Sequence, residues 1–196
     1  MDVVNFERPE NATLLSGRLL IAEPFLNDPN FYRSVILLCE HGNEGSVGFV
    51  LNHATNLQLG DLFPALSLAD FTIYQGGPVQ PDTLHMLHKE STLFGGTRIS
   101  ENIFWGGSYQ ALQEALLAQQ CNSSDVRLLV GYSGWKKGQL DTEVIQGHWM
   151  VYAPTEAELQ ELLFQTDALN IWKRCIQLLG SSYNYMLNLP PNPQLN

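Results

Sequence analysis

Charge is scarce in this chain. Asp, Glu, Lys and Arg make up 15% of its 196 residues, against roughly a quarter in ordinary soluble domains. Positive charge is scarcer still: ten Lys and Arg face twenty Asp and Glu, a formal net charge of −10. The excess is spread along the chain, with eleven acids to five bases in residues 1–100 and nine to five in residues 101–196. The densest basic spots are the pairs Lys136-Lys137 and Lys173-Arg174. Duplex binding draws on clustered Lys and Arg facing phosphate, so direct nucleic-acid binding is disfavoured. The same shortage disfavours attraction to anionic lipid surfaces.

Other absences narrow the field further. Cysteine occurs three times, at Cys39, Cys121 and Cys175, with no CxxC pair. An odd, scattered set fits free thiols in a reducing compartment, and a cytoplasmic protein is expected. No stretch approaches the ~18 apolar residues of a membrane span, and the acidic start lacks the basic n-region of a secretory signal. The glycine pairs Gly76-Gly77, Gly95-Gly96 and Gly106-Gly107 do not form GxGxxG, and no glycine-rich loop leads into Lys-Ser or Lys-Thr. Phosphate cradles for nucleotides are therefore unsupported, and no cofactor and no metal is expected.

What is present is a packed domain. Hydrophobic residues make up 44% of the chain, enough for a substantial core. Residues 1–13 read as an arm, 14–187 as a single domain, and 188–196, with three prolines, as a flexible tail. Strands are expected at Leu19 to Ala22, Ser34 to Cys39, Ser46 to Leu51, Phe71 to Gln75, Thr83 to His88, Asn102 to Trp105 and Val126 to Tyr132. Turn chemistry at residues 42–45 makes the second and third a hairpin. Asp28-Pro29 offers an N-cap and an N1 proline for one helical turn. Helices follow in the second half: from Tyr109, from Gly138, from a capping box at Thr155 and Glu158, and from Asp167 to a stop at Gly180. Strands early and helices late predict an α+β domain rather than regular βαβ alternation.

Several constellations invite chemistry. Gly131-Tyr132-Ser133-Gly134-Trp135 resembles a nucleophile elbow, but Trp135 stands where the turn wants glycine, and a glycine-rich turn is the plainer reading. Cys39 and His41 are two apart, which on a regular strand gives them one face and a nucleophilic pair. The apolar run before Cys39 favours a buried structural thiol instead. His85 and His88 are three apart, on opposite faces if the segment is a strand, with no third metal ligand nearby. Gly76 and Gly77 either make a tight turn or expose backbone along a ligand groove. Gln139 and Glu143 share a helix face, either bracing a loop or holding a polar ligand.

Motif order then suggests a family. Residues 26–41 read LNDPNFYRSVILLCEH within the longer segment 17–53. With Gly76-Gly77-Pro78-Val79, the run 131–135 and Gly138-Gln139-Leu140-Asp141-x-Glu143, this resembles the AlgH/YqgE family of small bacterial proteins from about Gly17 to Trp172. Asp141 stands where that family more often has Glu, and Lys136-Lys137 alters the loop before Gly138. The resemblance implies a mainly antiparallel, bifurcated and partly barrel-like sheet with flanking helices. It implies signature polar positions at Asp28, Arg33, His41, Asn52, Gln139 and Glu143, some of which are expected to converge on a groove between the hairpin 34–51 and segment 131–143. It implies no established enzyme activity.

The resemblance implies a transcriptional regulator, and with so acidic a chain the expected role is an indirect one, exerted by binding a small ligand or a protein partner. The competing expectation is a hydrolase or transferase with a Cys39/His41 or Ser133 nucleophile.

Overall fold

A computed structural model of the chain describes residues 11–66 and 71–190. In chain order its strands and helices are β1 (Leu19–Ala22), β2 (Val35–Gly42), β3 (Gly45–Val50), β4 (Ala54–Gln58), α1 (Leu59–Leu62), β5 (Thr72–Gln75), β6 (Val79–His88), α2 (Ser91–Phe94), β7 (Thr97–Arg98), β8 (Phe104–Trp105), α3 (Tyr109–Leu117), β9 (Val126–Trp135), α4 (Gln139–Gln146), β10 (Trp149–Tyr152), α5 (Glu156–Phe164) and α6 (Ala168–Leu178). Short 3-10 segments occupy Pro64–Leu66 and Ser181–Asn188.

The strands join in the order β10-β1-β2-β3-β9-β6-β8-β7, with β4 and β5 off this path. Strand β9 is where the sheet divides. Its end, from Ser133 to Trp135, pairs antiparallel with β3, whereas Leu128 to Val130 pairs parallel with β5. Strand β6 runs antiparallel along its other side. The fold is therefore α+β, with a mainly antiparallel, bifurcated sheet that stays open and has helices flanking it.

The uninterrupted apolar runs follow from burial on both faces. In β1, Leu19 and Ile21 join a cluster under α5 and α6, while Leu20 and Ala22 join one under α4. Strand β2 divides likewise, Leu37 and Cys39 to the first and Ile36 and Leu38 to the second. A third cluster lies beneath α3 and holds Ile73, Met86 and Leu128. Helix α5 opens on the capping box anticipated at Thr155 and Glu158, and Asp167 caps α6.

Some local expectations differ. Asp28-Pro29 begins tight turns rather than a helical turn. The Asp28 carboxylate accepts from the Asn30 amide at 2.8 Å, a side-chain turn that satisfies the backbone before a helix can start. Residues 181–188 continue as 3-10 helix beyond Gly180. At the chain ends, the Ala12 amide donates to the Val151 carbonyl along the outer edge of β10. Residues 1–10 of the expected arm and 191–196 of the expected tail lie outside the described residues. Among those described, no helix is long and apolar enough to cross a membrane.

Candidate functional site

Asn52 ends the apolar run of β3 and turns its amide inward. Its Oδ1 accepts from the Val35 amide at 2.8 Å, and its Nδ2 donates to the Arg33 carbonyl at 2.9 Å. Those two bonds clamp the entry to β2, where Arg33 holds a left-handed φ of 48°. The Arg33 guanidinium lies over Trp172, 4.8 Å from the ring centroid, and donates from Nη2 to the carbonyls of Leu189 (2.6 Å) and Pro190 (3.1 Å). Arg33 thus secures the C-terminal segment.

Glu143 is the hub of a second brace. Its Oε2 accepts from the indole N–H groups of Trp135 (2.9 Å) and Trp149 (2.8 Å), and its Oε1 accepts from Gln139 Nε2 at 2.9 Å. Gln139 also accepts from the Lys136 amide at 3.0 Å, fixing the start of α4. Phe31, from the turns after Asp28, packs against both indoles at 6.4 and 5.6 Å. One carboxylate thereby ties α4, β9 and β10 together.

His41 sits near the far end of β2. Its Nδ1 is 2.8 Å from Ser46 Oγ, and its Nε2 is 3.9 Å from Asp141 of α4. Strand β2 separates it from Arg33 by eight positions, on the order of 25 Å at ~3.3 Å per residue.

Neither candidate nucleophile is exposed. Register along β2 and β3 slips between Leu38 and Glu40, which leaves Cys39 as a bulged residue. The bulge breaks the alternation that would give Cys39 and His41 one face. Cys39 points into the α5/α6 cluster, while His41 reaches α4. Burial pushes the Cys39 thiol far up, with Glu40 adding to the shift. Ser133 is fully buried, and its hydroxyl donates to the Gly76 carbonyl at 3.1 Å. Gly76 and Gly77 lie hard against the β9 backbone: a Cβ on Gly76 would lie 2.4 Å from the Gly131 carbonyl oxygen, and one on Gly77 would lie 2.3 Å from the backbone of Tyr132.

The two β6 histidines face opposite ways. His85 packs among Phe49, Trp105 and Tyr132, with Nε2 3.1 Å from Thr83 Oγ1. His88 is enclosed by Phe94 and Phe104, and its Nε2 donates to the Gly106 carbonyl at 2.9 Å. Burial lowers the pKa of both.

Two cavities among the described residues bear on the site. A groove of about 490 Å³ lies between the β2–β3 turn and the end of β9, with Glu40, Glu44 and Ser46 on the hairpin side and Val79, Tyr132 and Lys136 opposite. A second cavity, about 370 Å³, opens between β5, the start of β9 and the loop after α5. Its wall includes Arg127, 6% exposed, which sequence reasoning passed over. The available signal was one cation inside the apolar run Val126 to Val130.

The profile of the AlgH-like family matches residues 19–184. The chain belongs to the AlgH-like family. A UPF0301 protein of Chlorobaculum tepidum is 35% identical over 184 residues, 93% of this chain and 96% of that protein. One from Parabacteroides distasonis is 35% identical over 185 residues, covering 93% and 91%. The solution structure of the AlgH protein from Pseudomonas aeruginosa aligns with a TM-score of 0.70 at 26% identity, covering 94% of this chain and 98% of that one. A Corynebacterium diphtheriae protein shares the fold, with a TM-score of 0.74 at 20% identity over 90% of this chain and 93% of that one.

In this AlgH-like chain the anticipated polar positions form separate braces. Asn52 and Arg33 meet at the start of β2, Gln139 and Glu143 meet on α4, and Asp28 stays within its own turn. His41 stands one residue behind the groove, through Ser46. The polar residues that line the groove are others of the same two segments, Glu40, Glu44, Ser46, Tyr132 and Lys136.

Proposed function

We propose that this AlgH-like protein is a cytoplasmic, non-enzymatic binding module that influences transcription indirectly, by holding a small ligand in the groove between the β2–β3 turn and β9. The observation behind the reading is the contrast between groove and nucleophiles. Cys39 and Ser133 are buried and engaged, whereas the groove is open and sets two carboxylates and a lysine on a mainly apolar lining. Glu40 and Glu44 outnumber Lys136 there, which favours a ligand with a cationic group such as an amine or guanidinium. Tyr132 adds an aromatic ring beside that charge. The acidic balance of the chain supports an indirect route to transcription. Three unpaired, buried thiols support a reducing compartment.

A thermal-shift screen of amines, arginine derivatives and neutral or anionic controls tests this. Cationic compounds should raise the melting temperature of the wild type, and E40Q/E44Q should lose most of that response. No response to any cationic compound, or an equal response in the double variant, rules out the groove as described. Steeply salt-dependent duplex binding by the purified chain would overturn the indirect route.

A further inference from the structure

We propose that the cavity walled by Arg127 is a second binding site, separate from the groove, that takes a small oxyanion such as a carboxylate or phosphate. Arg127 is buried in β9, yet among the described residues no carboxylate pairs with it. Its Nε donates to the Leu163 carbonyl at 2.7 Å, its Nη1 donates to the Leu51 carbonyl, and its guanidinium lies 4.0 Å from the centroid of the Tyr74 ring. These contacts fix the guanidinium in one orientation. They supply only part of a counter-charge: Leu163 belongs to the last turn of α5, whose carbonyls together carry about half a negative charge.

An isolated buried cation gives up its hydration without repayment. Burial lowers the Arg127 pKa, to about 10, so the group remains charged at neutral pH. A small anion entering the cavity would complete the missing charge at a guanidinium already held in place. The surroundings suit such a guest. The polar residues Thr72, Ser123 and Gln165 are part of its lining, and the volume of about 370 Å³ is that of a small-molecule site. Asp167 also lines the cavity, but its Oδ1 accepts from the Leu169 amide at 2.9 Å as the cap of α6, which helps to neutralise it locally. The net charge of −10 repels anions in general, so a response confined to this cavity reports a specific site.

The test uses the full chain, labelled with ¹⁵N and titrated separately with inorganic phosphate and succinate, sodium chloride holding ionic strength constant. Saturable shifts are expected at the amides of Ser123, Arg127, Gln165 and Thr166 and at the Arg127 side-chain N–H. Arg127→Met should weaken that response at least tenfold. Because Arg127 also braces two carbonyls, the variant T72V/S123A, which keeps the guanidinium, provides the second arm and should weaken binding several-fold with the fold intact. Absence of saturable shifts with both anions overturns the proposal. So does a response that T72V/S123A leaves unchanged.

Discussion

Trp149 donates its indole N–H to the Glu143 carboxylate across 2.8 Å, joining the first residue of β10 to α4. The same oxygen accepts from Trp135, and both indoles are almost fully buried. Removing the acceptor strands two donors in the interior, at ~1–3 kcal/mol each. Glu143→Ala should therefore cost about 2–4 kcal/mol in urea unfolding followed by tryptophan fluorescence. Glu143→Gln keeps an acceptor oxygen and should cost less. Equal losses in the two variants would show that packing, not the acceptor, matters.

Buried histidines set the response to acid. Burial lowers the pKa of His53, His85 and His88, with a backbone hydrogen bond partly opposing the shift at His53 and at His88. Protons therefore bind the unfolded chain more readily than the folded one. Stability is complete above the unfolded value of 6.5 and declines as pH falls through the lowered folded values. Unfolding free energy should drop between pH ~7.5 and ~5.5, and His88→Gln should flatten that slope. A wild-type slope of the opposite sign would contradict this account.

The thiols should be silent in the native state. Burial raises the pKa of Cys39, Cys121 and Cys175 alike, and each is at most 7% exposed. Iodoacetamide at neutral pH should leave all three unmodified until denaturant is added, as read by intact mass. Rapid native labelling of Cys39 would reopen its candidacy as a nucleophile.

Glycine substitutions should separate a crowded position from an open one. A Cβ on Gly76 would collide with the Gly131 carbonyl, whereas one on Gly42 meets nothing within 4 Å. Gly76→Ala should cost about 3 kcal/mol or more, with Gly42→Ala within ~0.5 kcal/mol of wild type. Chemical denaturation of the pair checks this. If they match, the backbone around Gly76 has room to adjust.

Arg33 should control protection of the C-terminal segment. Its guanidinium holds the carbonyls of Leu189 and Pro190 and stacks on Trp172. Arg33→Met should speed amide hydrogen exchange across residues 181–190 with little change in β2. Uniform acceleration throughout the chain would mean that Arg33 supports global stability instead.

The sequence revealed most where composition and burial coincide. Runs such as Val35 to Leu38 are β-branched and apolar because both faces of β2 are covered. Strand β4 (ATNLQ) is largely exposed and carries no such run, so it was not legible; β10 (WMVY) was passed over although its run is as short and apolar as that of β1. The bulge at Cys39 has no composition of its own; it arises from register against β3. The candidate site was harder for a related reason. A polar residue at a strand end signals that something must be hydrogen-bonded, but not whether the partner is backbone or ligand. For Asn52 and Glu143 it is the protein itself. Arg127 was overlooked because its partners, Leu51 and Leu163, are carbonyls 76 and 36 residues away.

Strand β9 also governs the order in which the sheet can be completed during synthesis. Strand β3 finds its β9 neighbour only at Ser133 to Trp135, and β1 gains β10 only after Tyr152. A nascent chain therefore carries apolar strands with open edges until Tyr152 has been made. Release by an early stop codon would leave those edges unpaired, a substrate for chaperones or proteases rather than a smaller working protein.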